Sequence, residues 1–93
     1  MRFEWDDAKA AANFQKHGVS FDEATEVFYD PNALEDYDPG HSDEEARFFI
    51  IGLSSRRLLY VVHLERQGDV LRVISARRAS KLERKDYERA RNC

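Results

Sequence analysis

The stretch RVISARRASKLERKDYERAR, Arg72 to Arg91, holds eight cations in twenty residues. Residue types of this kind suit phosphate. The arginine fork matches two phosphate oxygens and stays charged at every physiological pH. On a helix, Arg77, Lys81, Arg84, Glu88 and Arg91 form one stripe, and Arg78, Lys85 and Arg89 the next. Arg77 and Arg78 stand apart from the rest, because they fall where a strand-like run meets a helix start. RNA carries its own nucleophile, the 2′-hydroxyl. Cutting it without a metal needs a base near that hydroxyl, cations on the pentavalent phosphate and an acid for the leaving 5′-oxygen. Arg77 and Arg78 suit the phosphate, with Arg47 beside them. Tyr87 suits base stacking or proton donation, and Arg72, Lys81, Arg84 and Lys85 suit backbone contacts. The competing reading is a solvated helix face balanced by Glu83, Asp86 and Glu88.

A second cluster lies in NFQKHGVSF. Lys9, Asn13 and Lys16 share one helical face, and His17 follows Asn13 at i+4. Histidine is the residue type that moves protons near neutral pH, which makes His17 a candidate for proton transfer and Lys16 for RNA binding. The structural alternative is that Lys16 and His17 answer the dipole at a helix C-terminus while Asn13 caps a neighbouring loop. The three histidines, His17, His41 and His63, have no metal-ligand spacing, and His63 reads as a hydrogen-bonded, half-buried strand residue. The single cysteine is Cys93, so no internal disulfide and no thiolate metal site is expected. DYDPGHSDEE is dense in acids, but its glycine comes one position early for an EF-hand loop, and a solvated acidic loop over 35–45 is expected. No Walker loop, dinucleotide fingerprint or nucleophile elbow occurs, so no cofactor is expected.

The elements that must position these residues are legible from caps and periodicity. WDDAKAAANFQKHG predicts a helix opened by Asp6 and closed at Gly18. SFDEATEVFYDP predicts a second, with Ser20 and Glu23 as a capping box and Pro31 as the stop. NALEDY suggests a short edge strand. RFFIIGLSS, RRLLYVVHLERQ and DVLRVISAR predict three longer strands joined by short turns near 54–57 and at Gly68. Such turns leave no room for crossovers, so the strands should form an antiparallel meander of three to four. Leu58, Tyr60, Val62 and Leu64 face one way and Leu59, Val61 and His63 the other, so that strand is central. Ser80 and Glu83 form another capping box and open a C-terminal helix. The expectation is one α+β domain over residues 1–93, with two N-terminal helices, a small antiparallel sheet and a C-terminal helix.

Charge divides the chain. Residues 1–46 carry three basic and thirteen acidic side chains, and residues 47–93 carry twelve and five, giving the net −3. Such a chain can hold a polyanion on one side and a basic partner on the other, unless its halves neutralise each other by packing. No apolar run approaches the ~20 residues of a membrane span, and MRFEWDDAKA lacks the apolar stretch of a signal peptide. A cytoplasmic protein without membrane partners is therefore expected.

FEWDDAKAAANFQKHGVSF, RFFIIGLSS and RVISARRASKLERKDYE, in that order, resemble the BrnT family of bacterial toxins over nearly the whole chain. The resemblance implies a RelE-like fold and a metal-independent endoribonuclease that inhibits translation. It implies a BrnA-like antitoxin with a ribbon-helix-helix part as partner, in an autorepressing heterotetramer with two toxin copies. Promoter DNA would then be reached only through the antitoxin. The charged motif of the family falls on Arg77, Arg78, Glu83, Arg84 and Tyr87, and its front motif on Lys16 and His17; Asp7 stands where family members often have proline. Two alternatives stay open beside it: a non-catalytic nucleic-acid-binding module, and an interaction domain that supports a partner protein.

Overall fold

The structure, a computed structural model, describes residues 1–38 and 46–91. The acidic loop expected at 35–45 and the terminal Cys93 lie largely or wholly outside the described residues.

Asp6 opens the first helix, α1 (Asp7–His17). Its carboxylate accepts from the backbone N–H groups of Ala8 at 2.8 Å and Lys9 at 3.2 Å. Gly18 closes the helix in the left-handed region (φ 69°), with its N–H donating to the Phe14 carbonyl at 2.8 Å. Ser20 caps α2 (Phe21–Thr25) by accepting from the Glu23 N–H at 3.0 Å. The second helix expected through FYDP tightens after Thr25 into a 3₁₀ turn, Glu26–Tyr29. Here Val27 packs so closely on Gly52 that a Cβ there would lie 3.0 Å from the Val27 Cβ.

The strands are β1 (Arg2–Glu4), β2 (Leu34–Tyr37), β3 (Phe48–Leu53), β4 (Leu58–Arg66) and β5 (Val70–Arg78), followed by α3 (Lys81–Arg91). They form one sheet in the order β1-β5-β4-β3-β2. Strands β2 to β5 are the expected antiparallel meander. The expectation of three to four antiparallel strands is corrected at β1, which pairs in parallel with β5 in the register Phe3 to Leu71. Three residues are too few for an alternating pattern to show. The two helices between β1 and the meander supply the long connection that a parallel pair needs. Phe3 is fixed from outside its own segment, against Phe28 (ring centroids 5.3 Å apart) and Tyr29 (6.3 Å).

One face of the sheet meets α1, α2 and the 3₁₀ turn. Val19, Phe21, Ala24 and Val27 pack there on Ile50, Leu59, Val61, Val73 and Ala76. Removing their apolar area from water is the main force holding the helices down. On the other face α3 covers one end only, where Tyr87 packs with Ile51 and Leu58, and Leu34, Phe49, Tyr60 and Ala79 border them. Ser80 and Glu83 make the full capping box at its start: the Ser80 N–H donates to Glu83 at 2.8 Å and the Glu83 N–H to Ser80 at 3.1 Å.

Three polar ties lock this arrangement. The Asn13 amide donates to the carbonyls of Ala76 (2.8 Å) and Val19 (3.0 Å) and accepts from the Ala76 N–H (3.1 Å). Glu23, the box residue of α2, instead takes the Arg57 guanidinium at 3.0 and 2.8 Å and the Ser54 hydroxyl at 2.8 Å. That holds the β3–β4 turn against α2. Asp30 accepts from the N–H groups of Leu53 and Asn32 and from the Tyr87 hydroxyl.

Asn13→Ala would leave both Ala76 backbone groups buried and unpaired, and should lower stability by about 2 kcal/mol, read as a lower denaturant midpoint at unchanged slope. The Arg57 hydrogen bond holds the Glu23 carboxyl below its ordinary value of 4.5, against the opposing effect of burial. A depressed carboxyl stabilises the fold above its unfolded value and loses that contribution as pH falls through its folded value. The melting temperature of Glu23→Gln should therefore lie below that of the parent chain at neutral pH. The gap should shrink as pH falls below 4.5.

Candidate functional site

Residues far apart in sequence converge where α1 runs beside β5. An open depression of about 320 Å³ is lined by Lys9, Ala12, Asn13, Lys16 and His17 of α1, by Ile74 and Ser75 of β5, and by Arg47 just before β3. The helical repeat explains the α1 side. Asn13 turns inward to β5, and Lys9 and Lys16 flank it one turn away on either side. The β5 side rests on an irregularity. Val62 pairs with Ser75 and His63 with Val73, so Ile74 is an extra residue in the ladder. Successive strand residues normally point to opposite faces. A bulge re-aims them, and here Ile74 and Ser75 both reach the depression.

The electrostatics single this place out. Among the described residues, no carboxylate forms an ion pair with Lys9, Lys16 or Arg47. Three cations thus meet beside Ser75 and an imidazole, with no carboxylate paired to them among the described residues. A phosphodiester supplies such an anion, and an adjacent imidazole can exchange protons with it.

The other residues singled out by sequence sit elsewhere. Arg77 is in register with Tyr60 on the half-open face of the sheet. Its guanidinium lies 4.3 Å over the Tyr60 ring and is held by both oxygens of Glu83, at 2.9 and 2.8 Å. It also donates to the Arg78 carbonyl at 3.1 Å. The direction of Arg77 is fixed, and most of its fork is occupied. Phe49 stacks on Tyr60 (5.3 Å, 12° between planes), which continues an aromatic platform beside it. Burial, then Asp38 and Glu83, keep the Tyr60 phenol above its ordinary value and protonated. Arg78 is exposed, one position on and in register with Leu59 of the helix-covered face. Arg72 is paired with Glu4 at 2.6 Å. Lys81, Arg84 and Lys85 are exposed on α3.

Tyr87 is turned inward. It is 3% exposed, and its hydroxyl donates to Asp30 at 2.7 Å. Burial and that carboxylate push the phenol up to about 12, so its position suits packing and not proton donation to a ligand. His63 was expected half-buried and hydrogen-bonded. It is fully buried, between Phe28 and Phe48, and among the described residues neither ring nitrogen has a hydrogen-bond partner. Burial lowers it to about 4, so it is neutral at physiological pH.

Of the ten residues expected to form a site, the fold brings Lys16, His17 and Arg47 together. It adds Lys9, which the sequence places on the face of Lys16 without a role, and Ser75, which sequence reasoning had not singled out. The i, i+7 spacing of Lys9 and Lys16 carried the signal for the first. Nothing local marked Ser75, because its direction depends on the bulge.

The comparisons with known proteins agree with this arrangement of elements. The family model described as "Ribonuclease toxin, BrnT, of type II toxin-antitoxin system" matches residues 5–83. A search of curated proteins gave no match. Among solved structures, the crystal structure of the Brucella abortus ribonuclease toxin BrnT superposes with a TM-score of 0.66 at 29% identity. The match covers 87% of this chain and 99% of that one. With three helices on a five-stranded mixed sheet and a family match over most of its length, the chain belongs to the BrnT family of ribonuclease toxins of type II toxin–antitoxin systems.

Proposed function

We propose that the chain cuts RNA at the depression between α1 and β5, by attack of the 2′-hydroxyl on the adjacent phosphorus. The convergence of Lys9, Lys16 and Arg47, with no carboxylate paired to them among the described residues, carries this reading. The cations receive the charge that grows on the phosphate oxygens as the bond to the 2′-oxygen forms and the bond to the 5′-oxygen breaks. His17 exchanges the proton that must leave the 2′-hydroxyl or reach the 5′-oxygen. The products are a cyclic phosphate and a 5′-hydroxyl end. No step passes through a metal ion. The positive charge this reading uses is that of Lys9, Lys16 and Arg47.

Arg78, at the end of β5, and Lys81, Arg84 and Lys85, on α3, are proposed as flanking contacts to the RNA backbone. Arg77, held by both oxygens of Glu83 over the Tyr60 ring, instead ties the end of β5 to the first turn of α3. Cleavage of RNA would inhibit translation. An antitoxin partner follows from the family, and a BrnA-like ribbon-helix-helix protein that also carries the complex to promoter DNA is the proposed form. The family membership supports a cytoplasmic site of action.

Purified protein incubated with RNA in EDTA should yield new 5′-hydroxyl ends. RNA that is bound but left intact would favour a non-catalytic binding module. Arg47→Ala and Lys16→Ala should each lower the cleavage rate by roughly 10²-fold with unchanged thermal melting, as expected for lost transition-state charge stabilisation. Tyr87→Phe should do the reverse. It should lose about 1–2 kcal/mol of stability with the Asp30 bond and still cleave RNA at close to the parent rate.

A further inference from the structure

A second cavity of about 320 Å³ opens on the helix-covered face of the sheet, at the end bearing the β4–β5 turn. Its walls are apolar, from Phe28, Ile50 and Leu71, and its polar lining is mainly acidic, from Glu35, Glu65 and Asp69. Arg66, which also lies 3.9 Å from Glu4, and Met1, which bears the terminal amine, line it too. Three carboxylates thus face two cations, and the acids are in excess. Burial, and then the neighbouring Glu65, hold the Glu35 carboxyl above the usual carboxylate range, which marks the pair as mutually repulsive.

A second observation points to a missing partner. His63 is completely buried against this region: its ring meets Phe28 edge-on at 4.9 Å, and its Nε2 faces Glu35 at 3.4 Å. That approach is too poorly directed for a hydrogen bond, and neither ring nitrogen has another partner among the described residues. A neutral imidazole cannot neutralise Glu35. The two carboxylates are acceptors, the neutral imidazole has one acceptor nitrogen, and together at the end of an apolar cleft they call for a multiple donor.

We infer that this cavity takes the arginine side chain of a protein partner, with its aliphatic stem along Phe28, Ile50 and Leu71 and its guanidinium between Glu35 and Glu65. A guanidinium offers five N–H donors, enough to bridge two carboxylates, and it sheds water more readily than a lysine ammonium. The apolar walls of Phe28, Ile50 and Leu71 suit a methylene stem. The site is separate from the basic depression on α1 and stands whether or not the chain cuts RNA.

N-acetyl-L-arginine amide, titrated into the ¹⁵N-labelled full-length chain, tests the inference, with the neutral citrulline analogue as control. The arginine probe should give saturable shifts at the His63 ring and at the amides of Phe28, Glu35 and Leu71; the citrulline analogue should give none. Glu35→Gln and Glu65→Gln should each weaken binding roughly tenfold, the worth of one charged hydrogen bond. Both variants should fold, because each removes a repulsive charge, and overlay of the unaffected amides checks this. Absent or unsaturable shifts, equal shifts with citrulline, or binding indifferent to both variants would overturn the inference.

Discussion

One amide group sets the geometry on which the rest depends. Helix α1 offers the core little, for it is rich in alanine, Phe14 is exposed, and Asn13 is its only buried side chain. Strand β5 meanwhile runs past the three residues of β1, and its outer edge would otherwise carry unpaired backbone groups. Asn13 meets both needs. Its amide pairs with both backbone groups of Ala76 as a neighbouring strand would, and its second N–H fixes Val19 just beyond the helix. Because Lys9 and Lys16 ride on the same helix one turn to either side, this tie also fixes where two cations stand relative to Ser75 and Arg47.

Cation density alone is a poor guide to where a polyanion binds, and the pairing of individual arginines shows why. Arg57 is committed to Glu23 and to the Gly18 carbonyl, Arg72 to Glu4, and Arg77 to Glu83 and the Tyr60 ring. Each is hydrogen-bonded to its carboxylate, so moving it onto a ligand would break bonds that tie separate elements together. The basic tail therefore divides into arginines that hold the fold and lysines and arginines that face solvent on α3. The cations with the best claim to chemistry come from the other end of the chain and its middle.

What was legible in the sequence follows the range of the interaction responsible. Caps are local, and Asp6, Gly18, Ser20 and the Ser80–Glu83 box all do what their positions predict. The alternation in LLYVVHLER placed β4 at the centre, with both faces covered in part. By contrast β1 is held by β5 and by the rings of Phe28 and Tyr29, all distant in sequence, and RFE carries no pattern of its own. The bulge at Ile74 arises between strands and leaves no mark in RVISARR. Tyr87 seemed a surface aromatic on a polar helix. Its inward turn depends on Asp30, fifty-seven residues earlier. Lys16, His17 and Arg47 were each legible as residue types, but their meeting is a property of the sheet and of the Asn13 tie.

The split of charge along the chain takes on meaning from these contacts. Packing cancels part of it, since Glu4 meets Arg72 and Glu23 meets Arg57 across the two halves. The remainder is sorted in space, with unbalanced cations at the α1–β5 depression and unbalanced acids at the cavity beside β2 and β4. A nuclease of net charge −3 gains little from long-range attraction to RNA, which a strongly basic protein of this size would bind anywhere. Its hold on a phosphate must come from the few cations that no carboxylate has claimed. Salt sensitivity of binding then reports how many of those cations touch phosphate, and the paired arginines, however numerous, add little to it.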